Sequence, residues 1–475
     1  MNQNLSRIVL VLALVLGGLG ALYFAHARPG YFTSMEYLGG LLLLEVLVAS
    51  LWHYERAFFF VLLAAFLWAG TSVPMKGVWT QARWGVLAVG AFAGFLMWMK
   101  TRRHHFGAFH LVASFAVLAA VVSALASPYP RVALYKASSL FLLFLYAASG
   151  ARVAVLGREA KFLSVLLLGC EFTAYATATL YFGLGYAILG NPNSIGALMG
   201  VAVAPLLLWG AVATEERGLR QRRCFALLLC AALIFTSLAR AGMAAVLVSG
   251  FLLLFCLRRY RSLVQAAAVA VCFLAFLGVL SPDTFNKLTS SVTSAVLYKG
   301  ESKGGVLGSR QTPWQQTLTT IREHPWFGSG FGTSLSGADP GLFISKFASA
   351  REINREHGSS YLEIAEWVGW LGLIPFALLF LLLARRVAAA FLWLRRTGNP
   401  HHPAIPLAMV VLAGLTHAAF EDWLFAVGYY LTVLFWSLAF DLVDLAPVAP
   451  VAARRVGIWP FRSPVQATAA MASRR

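Results

Sequence analysis

Stretches of roughly 17–20 consecutive apolar residues recur along this chain from one end to the other, each long enough to cross a bilayer as a helix. Crossings are expected near 8–25, 37–52, 57–74, 84–99, 107–126, 137–156, 162–182, 194–213, 224–239, 241–257, 263–280, 361–384, 404–417 and 424–444. That gives about 12–14 transmembrane helices and an all-α polytopic membrane protein. Composition agrees, with 59% hydrophobic and only 12% charged residues. A soluble chain of this length carries roughly twice that charge.

The net charge of +19 is not the footprint of a nucleic-acid binder. The basic residues sit in short clusters between apolar runs, such as Arg217, Arg220, Arg222 and Arg223, or Arg385, Arg386, Arg395 and Arg396. This is the pattern that orients a membrane protein with positive loops inside. It predicts cytoplasmic termini and one large hydrophilic loop, 281–360, on the outer face. Ala25-His26-Ala27 looks like a cleavage site, but the apolar run before it is longer than a secretory signal's, so a retained anchor is expected. The five cysteines lie in or beside apolar runs without the spacing of a disulfide framework or a zinc site. The Ala/Pro/Arg-rich tail, 445–475, reads as disordered on the cytoplasmic side.

Candidate chemistry gathers on the outer face. In "TPWQQTLTTIREHP", Thr312 is expected to cap a short surface helix with Pro313 at its first position. Trp314, Leu318 and Ile321 would share its apolar face. Ser360 and Glu363 have capping-box spacing at the start of the next crossing. His357 then stands just outside a helix N-terminus, where anions are favoured and a near-neutral side chain can accept a proton from a hydroxyl.

Four arginines accompany His357. Arg240 lies at the outer end of a span, where an arginine is costly and marks function by default. Arg310, Arg351 and Arg355 lie in the loop, and converging guanidinium forks suit a diphosphate. Each feature has a plainer reading: a loop histidine is more often incidental, and span-end arginines often snorkel to the interface. Their concentration on one face, in a chain with few outer charges, favours function. "GSGFG" (Gly328 to Gly332) lacks the context of a nucleotide loop and reads as a tight turn. His417, Glu421 and Asp422 offer donors but no complete ligand set, so neither metal nor cofactor is expected.

"NPNSIGALMG", "SLARAGMAAVLV", "GSRQTPWQQTLTTIREHPWFGSGFG" and "EHGSSYLEIAEWVGWLGLIPF" follow one another in this order. Together they resemble the O-antigen ligase and polymerase superfamily of bacterial envelope glycosyltransferases, over about residues 185–385. The resemblance divides the chain into an N-terminal bundle (1–183), a ligase/polymerase-like membrane domain (184–444) and the tail. It implies a GT-C-like fold in the bacterial inner membrane with a periplasmic active site. The donor would be a glycan on undecaprenyl diphosphate, and the acceptor a lipid A–core sugar, another glycan or a lipid-linked repeat. By this likeness His357 takes the acceptor's proton, while Arg240 and Arg310 hold the diphosphate. Arg351 and Arg355 match no motif position and enter as additional cations. The family often has Asn or Ser directly after the histidine, whereas this chain has Gly358 and then Ser359.

Ligase and polymerase differ only in acceptor, and the single large loop carrying both Arg310 and His357 favours ligase. A transporter of polysaccharide or lipid-linked sugar is the reading from another class. It would place charge near the bilayer midplane and repeat one half in the other. Glu45 is an intramembrane acid, but the sequence has no internal repeat.

Overall fold

In a computed structural model, the described residues are 34–71, 76–101, 106–261, 308–334 and 355–447, with a few isolated positions outside them. The expected crossings at 8–25 and 263–280, the Ala25-His26-Ala27 site, Arg351 and almost all of the tail lie outside this set. The other twelve expected crossings each coincide with a helix, and no strand occurs among the described residues.

The helices are α1 (Met35–Trp52), α2 (Tyr54–Ala69), α3 (Lys76–Thr101), α4 (Ala108–Ala126), α5 (Pro130–Val155), α6 (Glu159–Gly183) and α7 (Pro192–Ala213). They continue with α8 (Arg217–Thr236), α9 (Arg240–Cys256), α10 (Gly308–Glu323), α11 (Ser360–Thr397), α12 (Ala404–Ala418) and α13 (Tyr430–Leu445). Six of them contain stretches long and apolar enough to cross a membrane: α3, α4, α5, α6, α7 and α11. The protein is an all-α polytopic membrane protein.

Helix α13 is the centre of the bundle. Every residue from Tyr430 to Val443 is buried, and the helix packs on α2, α5, α11 and α12. A fully buried arginine anchors it: Arg152, on α5, bonds both oxygens of Asp444, Nε to Oδ2 at 2.6 Å and Nη2 to Oδ1 at 3.1 Å. A bidentate pair of this kind satisfies most of the donors that burial would otherwise leave costly.

The feature that positions the site is a break in α11. At Gly369 the backbone turns to φ 62°, ψ −175°, and the helix resumes beyond it. The carbonyls of Glu366 and Trp367, freed by the break, accept from Ser329 N–H at 2.9 Å and Gly330 N–H at 3.2 Å. In return, Trp370 N–H donates to the carbonyl of Pro325 at 2.7 Å and Leu371 N–H to that of Trp326 at 3.3 Å. The 325–333 segment is therefore spliced into the helix. "GSGFG" does more than turn: its glycines let two backbones meet. A Cβ on Gly369 would lie 2.5 Å from the carbonyl of Trp326, and one on Gly328 would lie 2.4 Å from that of Glu366. Helix α4 secures the other side, with Ser123 Oγ donating to Trp367 O and Ser127 Oγ to Ser329 O.

Two local expectations are corrected. Helix α10 starts at Gly308, so Thr312 is not its cap and Pro313 lies inside it. Arg310 pairs with Glu356 and Glu421 from this first turn, and these tertiary contacts outweigh the one hydrogen bond that Pro313 removes near a helix start. The buried face of α10 runs through Thr317, Thr320 and Ile321, while Leu318 is 44% exposed. Second, α11 does begin at Ser360, but its N-cap is Ser359 and no side-chain cap bond forms. Ser360 and Glu363 serve the site instead.

Gly369→Ala should destabilise the protein by about 2–6 kcal/mol, combining backbone strain with a forced clash. Thermal unfolding of the detergent-purified protein checks this, and a wild-type transition would refute the splice.

Candidate active site

His357 is fully buried at the mouth of α11. Its backbone N–H donates to Asp422 Oδ2 at 2.6 Å, so the chain entering α11 is tied to the loop between α12 and α13. The ring's Nε2 lies 3.0 Å from Ser334 Oγ and 3.3 Å from Glu366 Oε1. Its Nδ1 is 3.6 Å from Asp422 Oδ2 and 4.0 Å from Glu363 Oε1, and has no hydrogen-bond partner among the described residues. The ring packs edge-to-face on Trp367, with centroids 5.8 Å apart.

Three carboxylates thus surround one imidazole. Burial by itself would lower the histidine's pKa, but Asp422, Glu366 and Glu363 reverse this and push it up to about 9. For Asp422, burial pushes the carboxyl upward, yet hydrogen bonding and charge from His357 bring it below the ordinary carboxylate value. At neutral pH the resting site therefore holds an imidazolium beside the Asp422 carboxylate.

Ser360 holds the acidic loop in place. Its hydroxyl donates to Glu421 O at 2.8 Å and accepts from Trp423 N–H and Leu424 N–H, each at 3.0 Å. Glu363, one turn on, faces His357 with Oε2 lacking a hydrogen-bond partner among the described residues. Glu366 is bound on its outer side by Arg355, which also donates to Thr317 Oγ1 at 3.0 Å. An unbroken chain runs from Arg355 through Glu366 to the His357 ring.

Of the four cations expected from sequence, Arg240 and Arg310 stand near one another, Arg355 turns elsewhere and Arg351 lies outside the described residues. Arg310 pairs with Glu356 and Glu421, and its side chain runs past Gly358, whose φ is 66°. A Cβ there would lie 2.9 Å from Arg310 Cδ, so a residue larger than glycine would have to move the arginine. This accounts for Gly358 where the family often has Asn or Ser. Trp314 Nε1 donates to Gly358 O at 3.2 Å, clamping α10 to the segment. Arg240, at the start of α9, lies near enough to Arg310 and Glu421 to interact electrostatically with both. Arg355 is turned instead to Glu366. His417 accepts a hydrogen bond from Trp423 Nε1 at 2.8 Å and holds the loop, apart from the His357 cluster.

Sequence reasoning missed Glu363 and Glu366 as site residues. Two carboxylates at the head of a membrane-entering helix are a functional signal in their own right, but the capping-box spacing gave Glu363 a local explanation. His357, Glu363 and Asp422 also offer ligand atoms within 4.8 Å of one another, and a nitrogen with two carboxylates is a donor set that a divalent ion accepts.

Residues 225–377 match the family model described as O-Antigen ligase. The match runs from α8 into the middle of α11 and includes Arg240, Arg310, His357, Glu363 and Glu366, while Glu421 and Asp422 lie beyond it. A search of the curated proteins finds no match to the chain. The matched segment, carried on a helical membrane fold, supports the O-antigen ligase and polymerase superfamily for this chain.

Proposed function

We propose that this membrane glycosyltransferase moves a glycan from undecaprenyl diphosphate to an acceptor hydroxyl at the periplasmic face, as a ligase. The observation that carries the reading is the meeting, within and beside the matched segment, of Arg310, Arg240 and a fully buried, carboxylate-surrounded His357. In the reaction the acceptor oxygen attacks the anomeric carbon. The bond from that carbon to the diphosphate breaks, and the electron pair leaves with the diphosphate. The acceptor's proton passes to His357. Arg240 and Arg310 neutralise the charge that grows on the leaving group, which is where such a transition state gains most. Holding donor and acceptor together supplies much of the rest. Arg355 acts through Glu366, keeping that carboxylate against the imidazole.

The carboxylates make His357 a stronger base and leave little of it neutral at rest. Transfer assayed in vitro should therefore rise with pH up to about 9 and then level off. A rate that falls as pH passes through 9 would mean that the imidazolium, not the imidazole, is the working form.

The transfer needs no metal in this reading, because the diphosphate is a good leaving group once its charge is neutralised. Saturating EDTA should leave the purified protein's rate unchanged. A loss restored by added divalent ion would assign His357, Glu363 and Asp422 to that ion.

His357→Ala in the native host should abolish mature surface glycan at normal protein level, with lipid-linked donor accumulating. Polymer retained on the carrier identifies a ligase, and single repeats a polymerase, whose acceptor is the next lipid-linked unit. A normal glycan profile at normal expression refutes the catalytic role and returns transport to consideration.

A further inference from the structure

Beside the His357 cluster, with Trp367 as common wall, lies a cavity of about 1140 Å³. It opens among the ends of α2, α3 and α5, the start of α7, and the segment from Phe425 to Tyr430. It is larger than the roughly 300–1,000 Å³ of an ordinary small-molecule site. Neither Arg240 nor Arg310 lines it.

Its lining has a consistent chemistry. Among the described lining residues Arg83 and Lys136 are the two cations, and none is Asp or Glu. Arg83 is held by a bond from Nη1 to Gly428 O at 2.8 Å and lies over Trp84, yet its buried Nε has no hydrogen-bond partner among the described residues. Lys136 donates to Gly332 O, and its Nζ lies 6.0 Å from the centre of the Trp367 ring. Gly332, at φ 74°, is what allows this approach, since a Cβ would fall 2.2 Å from Lys136 Cδ. Trp367 is itself buried, with Nε1 unpartnered, and its ring also packs on His357. Two held cations, with no Asp or Glu among the described lining residues and Glu363 acting on Lys136 only from outside the lining, suit an anion. Serine and tyrosine hydroxyls with aromatic faces around them describe a sugar rather than a hydrocarbon.

We propose that this cavity binds an anionic sugar, bearing a carboxylate or phosphate ester, on the acceptor glycan, with Arg83 and Lys136 as its specificity-determining residues. The proposal rests on the transferase reading and adds the acceptor's charge class. Trp367 would then link the two compartments, with the acceptor on one side and the proton-accepting imidazole on the other.

The test is equilibrium binding, read by tryptophan fluorescence, on the full chain in phosphatidylcholine nanodiscs, with a galacturonate hexamer as anionic probe and maltohexaose as neutral control. Galacturonate should bind saturably and maltohexaose far more weakly. Arg83→Gln and Lys136→Gln should each weaken galacturonate binding roughly tenfold, the loss of one charge-assisted contact, and Lys136→Arg should restore most of it. His357→Ala and Arg310→Gln should bind as wild type, so the result stands apart from the outcome of the glycan assay. Equal binding of both probes, no binding of galacturonate, or a loss confined to Arg310→Gln would overturn the proposal. Displacement of the probe by phosphatidylglycerol in the nanodisc would also overturn it, assigning the cavity to a lipid headgroup.

Discussion

A helix cannot be interrupted at a membrane boundary unless something satisfies the backbone groups it releases. In this protein that something is the 325–330 segment, which lends α11 two N–H donors and takes two in return. Both ends of the site depend on the exchange. Glu363, Glu366 and Trp367 lie on the short helical piece before the break, and that piece is held at its start by the Ser360 hydroxyl and at its end by the splice. The two carboxyl groups and the indole that face His357 therefore sit on a segment fixed at both ends, while the rest of α11 follows the needs of bundle packing.

The second organising feature is the ratio of charges at His357. One imidazole faces three carboxylates, and a fourth, Glu421, stands next in the loop. Arg355 and Arg310 each neutralise part of this excess, from opposite sides. The arrangement separates two jobs that the sequence presents as one cationic cluster. Arg310, with Arg240 nearby, faces the acidic loop, whereas Arg355 is committed to holding Glu366 against the ring.

Much of the architecture was legible in the sequence because hydrophobic length is a direct consequence of bilayer thickness. Twelve of the fourteen expected crossings have a helix, and Arg310, with Arg240 near it, stands against the segment that carries His357. What could not be read was the role of residues whose partners are far along the chain. Glu363 has a local explanation as a cap, and only the fold brings it to His357. Asp422 is 65 residues from the histidine whose backbone it receives. Pro313 and Thr312 obeyed local rules for a helix start, which the ion pairs of Arg310 overrode. The glycines of "GSGFG" signalled an unusual backbone but not that its partner is another helix.

Arg310 is never without a counter-ion. Its guanidinium is shared between Glu356 and Glu421, so under the proposed function a diphosphate coming to this residue would replace carboxylates instead of meeting a bare charge. The net gain on binding is then a small difference between two strong pairings. Under the same reading that difference would govern departure: once the glycan had moved, Glu356 and Glu421 would reclaim the arginine and ease the spent carrier out. A site that gripped a diphosphate with unopposed cations would hold its product as firmly as its substrate. The two glutamates would in this sense be part of the turnover machinery, through what they do after the chemistry is over.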